Sequence, residues 1–159
     1  MNDIKIIIQA RTGSTRLPQK MILPFYENEG IFSLILKRLT LNFKKENIIL
    51  ATSTNPNNDV LVDIAKKYGI NYFRGSENDV LQRFIDAAKE FDAENIIRVC
   101  ADNPFLDVFY IELLLEKFEK FNIGQLTKDI GYKPSNYLAF REAAIQAGAE
   151  AVVEDSISH

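Results

Sequence analysis

Cations and small polar residues gather in one short stretch, Gln9-Ala10-Arg11-Thr12-Gly13-Ser14-Thr15-Arg16-Leu17-Pro18-Gln19-Lys20. Arg11, Arg16 and Lys20 stand at spacings of five and four residues. Arginine grips phosphate oxygens through two parallel hydrogen bonds, and lysine acts as a compact point charge. The backbone at Thr12, Gly13, Ser14 and Thr15 can turn N–H groups towards an anion. Gly13 permits a tight or left-handed backbone, and Pro18 fixes the exit. Two readings fit this stretch: a cradle for a triphosphate, built differently from a P-loop, or a solvated basic loop.

The rest of the composition narrows the chemistry. The only histidine is His159, the last residue given, which argues against a histidine general base, a Ser–His–Asp triad or a multi-histidine metal site. One cysteine, Cys100, excludes an internal disulfide framework and a cysteine zinc cluster. None of the seven glycines is spaced as G-x-G, so the dinucleotide fingerprint is absent, and so is the P-loop pattern. What remains is Arg, Lys, Asp, Ser, Thr and backbone groups, a set better suited to phosphate chemistry and Mg²⁺ than to acyl transfer. The net charge is −3 and the pI about 5.3, which disfavours general nucleic-acid binding. Yet no acid occurs between Asp3 and Glu27, where Lys5, Arg11, Arg16 and Lys20 lie. A local positive field on an acidic protein suits a small anionic ligand. No apolar run approaches the roughly 20 residues of a membrane span, and the amino end has no signal-peptide pattern. The expectation is a cytoplasmic protein with no membrane partner.

The stretch of cations must be positioned by something, and the hydrophobic period supplies it. At 159 residues the chain is expected to form one domain. Short β-branched runs predict buried strands over 4–9, 47–52, 70–73 and 95–100. Between them, helical periodicity predicts helices over 31–43, 59–68, 79–91 and 107–120, the second stopped by Gly69. Arg74-Gly75-Ser76 reads as a loop. Strands alternating with helices imply a three-layer α/β/α fold with a mostly parallel, Rossmann-like sheet. Right-handed crossovers put the loops after the strands on one edge, where ligands bind in such folds. The rhythm breaks after 122: 123–134 reads as a connection, 135–148 as a capped helix and 149–153 as a last strand. The expected division is a nucleotide-binding core over 1–122 and a divergent segment of the same domain over 123–159.

The segment IIIQARTGSTRLPQK (6–20) closely resembles the opening motif of the cytidylyltransferases that activate sugars, including those for 3-deoxy-manno-octulosonate and sialic-type acids. IILATSTNPNNDVL (48–61), FRGSENDVLQRF (73–84) and IIRVCADNPFLD (96–107) agree in order and spacing with the spore-coat polysaccharide branch. The resemblance spans about residues 3–121. It implies the nucleotide-diphospho-sugar transferase type of fold, shortened here at the C-terminus. It implies a reaction in which CMP passes from CTP to a sugar acid or sugar phosphate, with pyrophosphate released, in surface polysaccharide synthesis. The backbone near Gln9 and Ala10 would face the cytosine, Arg11, Ser14, Arg16 and Lys20 would hold the phosphates, and Thr12, Gly13 and Thr15 would complete the loop. Asp102 would bind Mg²⁺ near the α-phosphate; the alternative is a turn residue before Pro104. Arg16, Lys20 and Asp102 would then be the catalytic set. Arg74 and Ser76 would line the nucleotide or sugar pocket, although Ser76 could equally cap a helix and Arg83 be a surface charge. Asp107 is expected to N-cap the last helix and Cys100 to pack as a small strand residue.

Beyond Asn122 the resemblance stops, and with it the expected sugar-binding residues, dimer-forming portion and second metal-binding aspartate. Asp129 and Asp155 fit no motif, and a homodimer stays an open expectation. Two other functions compete: a nucleotide-binding but catalytically incompetent module with a regulatory or assembly role, and a glycosyltransferase on a related fold. The second typically needs an Asp-x-Asp motif, and none occurs.

Overall fold

The computed structural model describes residues 4–14, 16–120 and 151–154. Strands β1 (Ile4–Gln9), β2 (Ile48–Ser53), β3 (Asn71–Gly75), β4 (Asn95–Cys100) and β5 (Ala151–Glu154) alternate with helices α1 (Ile31–Asn42), α2 (Asp59–Tyr68), α3 (Val80–Glu90) and α4 (Val108–Lys120), the last two strands being separated by more than α4. All the strands pair in parallel, in the order β3-β2-β1-β4-β5. The readings of 123–134 and 135–148, and the unassigned Asp129 and Asp155, lie outside the described residues.

The sheet is buried on both faces, as its unbroken apolar runs require. Ile6, Ile8, Ile48, Leu50, Ile97 and Val99 pack on one face under α1, α2 and Ile111 of α4. Ile7, Ile49, Ala51 and Ile96 pack on the other under Phe84, Ala87 and Ala88 of α3. These two layers make the expected α/β/α sandwich. Phe32, Ile35, Leu36 and Leu39 of α1 are fully buried, each adding roughly 1.5–3 kcal/mol of transfer free energy. Leu41 falls off that stripe and stands in solvent.

Two boundaries differ from the periodicity. Arg74 and Gly75 are strand, not loop, because they continue the ladder opposite Thr52 and Ser53. Arg83 is wholly buried rather than on the helix surface. Its stem runs beneath Gly75, where an added Cβ would come within 3.1 Å of Arg83 Cγ and 2.8 Å of Phe73 Cε1. Gly69 ends α2 in the left-handed conformation, φ 73°, as expected. Among the described residues no helix is long and apolar enough to cross a membrane.

Candidate nucleotide-binding site

The strand order reverses direction of growth between β1 and β4: α1 carries the chain from β1 to β2 on one side, and α3 carries it from β3 back to β4. At such a switch point the loops leaving the two strands diverge and open a crevice. A cleft of about 420 Å³ lies there, and its wall comes from Gln9, Ala10, the loop residues Arg11, Gly13, Ser14, Arg16, Lys20 and Met21, and from Arg98, Cys100, Ala101 and Asp102 at the β4 end. The size suits a small-molecule ligand.

A polar network anchors the loop at its root. The buried Thr12 N–H donates to Asn58 Oδ1 at 2.8 Å, and Thr12 Oγ1 lies 3.1 Å from both Asn57 O and Asn58 Oδ1. Asn58 Nδ2 in turn donates to Ser53 Oγ at 2.6 Å, and Ser53 Oγ also meets Glu77 Oε2. Thr12 O accepts from Ser14 N at 2.9 Å and from Gln19 N at 3.0 Å, closing the loop on itself. Gln19 adopts φ 60°, a strained choice for a residue with a Cβ. At its exit the loop lies against the start of α1: Phe32 N donates to Met21 O at 3.0 Å. Gly30 is required there, because an added Cβ would lie 2.7 Å from Met21 O and 2.8 Å from Ile22 Cα.

The three loop cations therefore border one cleft. Lys20 Nζ is 3.8 Å from Asp102 Oδ2, and Arg11 Nη1 is 4.0 Å from Glu77 Oε1. Both pairs are long and partly exposed, so they contribute little and can yield to an anionic ligand. Asp102 stands two residues past the end of β4 and faces Lys20. Among the described residues no group of three or more His, Cys, Asp or Glu side chains gathers as a metal cluster. A single carboxylate still fits Mg²⁺, which takes one or two protein carboxylates and fills its octahedron with phosphate oxygens and water.

Some of the residues singled out by sequence point elsewhere. Thr12 is turned into the Asn58 network and holds the loop from behind. Arg74 spends its guanidinium on Ser53 O at 3.2 Å, Asn55 O at 3.0 Å and Asp59 Oδ1 at 2.6 Å, which braces the β2–α2 turn. Ser76 Oγ accepts from Asp79 N at 3.0 Å, and Asp79 Oδ1 caps α3 through Gln82 N at 2.8 Å. Neither Arg74 nor Ser76 lines the cleft. Arg83 Nη1 donates to Ser76 O, while Nε and Nη2 have no hydrogen-bond partner among the described residues. Burial pushes the Arg83 pKa down from its ordinary value and the nearby Arg11 adds to this, with Glu77 and Asp79 opposing. Asp107 Oδ1 accepts from Phe109 N at 3.0 Å, as an N-cap should. Thr15 lies outside the described residues.

Sequence reasoning missed Met21, Arg98, Cys100 and Ala101 as lining residues. A charge inside the apolar run NIIRVC was the available signal for Arg98. Cys100 is half-buried at the cleft wall rather than packed away.

An open parallel α/β sheet with a cation-lined cleft at its switch point is the arrangement in which α/β folds hold small ligands. The chain belongs to the cytidylyltransferase family, whose sequence pattern matches residues 5–147. It is 39% identical over 119 residues to the spore coat polysaccharide biosynthesis protein SpsF of Bacillus subtilis, covering 73% of this chain and 50% of that protein. It is 30% identical over 120 residues to a 3-deoxy-manno-octulosonate cytidylyltransferase of Chlorobium chlorochromatii, covering 74% of this chain and 46% of that one. The solved structure of a cytidylyltransferase from Leptospira borgpetersenii superposes with a TM-score of 0.70 at 40% identity, covering 74% of this chain and 49% of that one. The chain thus spans about half the length of the curated relatives it matches.

Proposed function

We propose that this chain binds CTP in the β1–β4 cleft and serves the transfer of CMP to a sugar acid or sugar phosphate in polysaccharide synthesis. The observation that carries the reading is the convergence of Arg11, Arg16 and Lys20 on one cleft whose far lip is Asp102. An oxygen of the acceptor bonds to the α-phosphorus, the bond from that phosphorus to the bridging oxygen breaks, and pyrophosphate leaves. Negative charge grows on the departing oxygens, so cations fixed beforehand favour the transition state over the ground state. Arg16 and Lys20 supply that charge from the loop, and Arg11 steadies the outer phosphates. Little covalent work is asked of the protein; alignment and charge neutralisation suffice, so no histidine is required. Asp102 would hold Mg²⁺, which when bound neutralises phosphate oxygens and orients the α-phosphate. Lys20 Nζ, 3.8 Å from that carboxylate, would add its own positive charge beside the Asp102 side of the cleft.

The test is pyrophosphate release from CTP and Mg²⁺ with a panel of sugar acids and sugar phosphates. Release dependent on one acceptor class supports transfer. CTP binding without release to any acceptor points instead to a nucleotide-binding module without catalysis.

A further inference from the structure

The cleft has a second polar feature, away from the phosphate loop. Gln9 and Arg98 sit at the tops of β1 and β4 on the sheet face that carries α3, above Ile7 and Ile96. Arg98 Nη2 donates to Gln9 Oε1 at 3.3 Å. The Arg98 guanidinium carbon lies 5.5 Å from the ring centroid of Phe84 on α3, within cation–π range. A guanidinium carries donors only, so the oxygen of the Gln9 carboxamide must be the end that faces it. The orientation of that amide thus follows from chemistry. Its Nε2 group is left as a donor, and Gln9 lines the cleft. The neighbouring Cys100 and Ala101 are small and leave space for a flat ring beside the strand ends.

We propose that Arg98 is a positioning residue for nucleobase selectivity: it locks Gln9 so that Nε2 offers an N–H to the acceptor edge of a cytosine. This rests on the CTP reading above. Cytosine presents acceptors at N3 and O2. Uracil presents an N3–H, which would meet the Gln9 donor head-on. The phosphate loop cannot make that distinction, because every nucleoside triphosphate carries the same three phosphates. Arg98 acts through Gln9 rather than on the reacting atoms.

Calorimetric titration of the full chain with CTP, UTP and inorganic tripolyphosphate, each with Mg²⁺, tests this. The wild-type chain is expected to prefer CTP. Arg98→Met should cut the CTP-to-UTP affinity ratio by about tenfold or more, since opposed donors are no longer enforced. Loss of its charge from the cleft wall should weaken CTP, UTP and tripolyphosphate alike, so the CTP-to-UTP ratio carries the test, and Arg98→Lys, which keeps the charge, should restore part of that ratio. Gln9→Glu turns the donor into an acceptor and should move the preference towards UTP. A wild-type chain that binds no CTP overturns the functional reading itself. A wild-type chain that selects CTP while Arg98→Met and Gln9→Glu keep the full ratio overturns this inference alone.

Discussion

Asn58→Ala tests whether the loop is held from behind. Asn58 is 2% exposed and spans three groups: it accepts from the Thr12 N–H and from Thr12 Oγ1, and donates to Ser53 Oγ. Truncation leaves two of these with substitutes, because Thr12 Oγ1 still reaches Asn57 O and Ser53 Oγ still meets Glu77. Among the described residues the Thr12 N–H has no other acceptor. A buried unsatisfied donor costs about 1–3 kcal/mol, to which the small void adds, so a loss of about 2–3 kcal/mol is expected. For a chain of this length that is a fall of roughly 4–12 °C in Tm. Urea unfolding should show a lower midpoint with an unchanged slope. Hydrogen exchange should show the Thr12 amide opening faster than amides in β1. A change below about 0.5 kcal/mol, with Thr12 protection intact, would refute the claim that this side chain anchors the loop.

Three further outcomes follow from neighbouring contacts. Gly30→Ala forces a methyl into backbone at Met21 and Ile22 and should cost about 1–3 kcal/mol in urea unfolding while weakening nucleotide binding, because the same backbone carries Lys20. Gln19→Gly relieves the left-handed φ of 60° and should raise stability by up to about 1 kcal/mol; a loss would show that the Gln19 side chain does more than tolerate its backbone. Tyr68 titrates above its ordinary value of 10.0, through burial first and then the Glu29 carboxylate. The unfolded chain therefore loses this proton before the folded one does, so the stabilisation is full below pH 10 and disappears as pH rises through the higher folded value. Urea midpoints measured from pH 9 to 11 should fall less steeply in Tyr68→Phe than in the wild type, and parallel curves would contradict the assignment.

The fold was legible because its signal is periodic. NIIRVC and NIILAT are too apolar for a one-sided strand, and Asp59–Tyr68 has a clear stripe ended by Gly69. The cationic loop was legible because phosphate chemistry demands particular side chains. What sequence could not reveal is direction. Thr12 sits among phosphate-binding candidates yet faces Asn58, because the loop needs a buried anchor as well as an exposed grip. Arg74 and Ser76 looked like pocket residues, but Arg74 is consumed by carbonyls exposed at the β2–α2 turn and Ser76 by the start of α3. Arg83 was hidden for the same reason: only the lack of a Cβ at Gly75 lets its stem pass beneath the strand end. Arg98 was overlooked because its role arises across the sheet, from pairing with a residue 89 positions away.

The central claim is that the loop after β1 grips the phosphates of a cytidine nucleotide. Calorimetric titration of the wild-type chain and of Arg16→Ala and Lys20→Ala with CTP and Mg²⁺ tests it most directly. The account requires one CTP per chain, bound more tightly than ATP, GTP or UTP. It also requires each variant to lose about tenfold or more in affinity, the scale of a charge-assisted contact, without a change in fold. Heat that is absent or equal for all four nucleotides, or variants that bind CTP as well as the wild type, would contradict it.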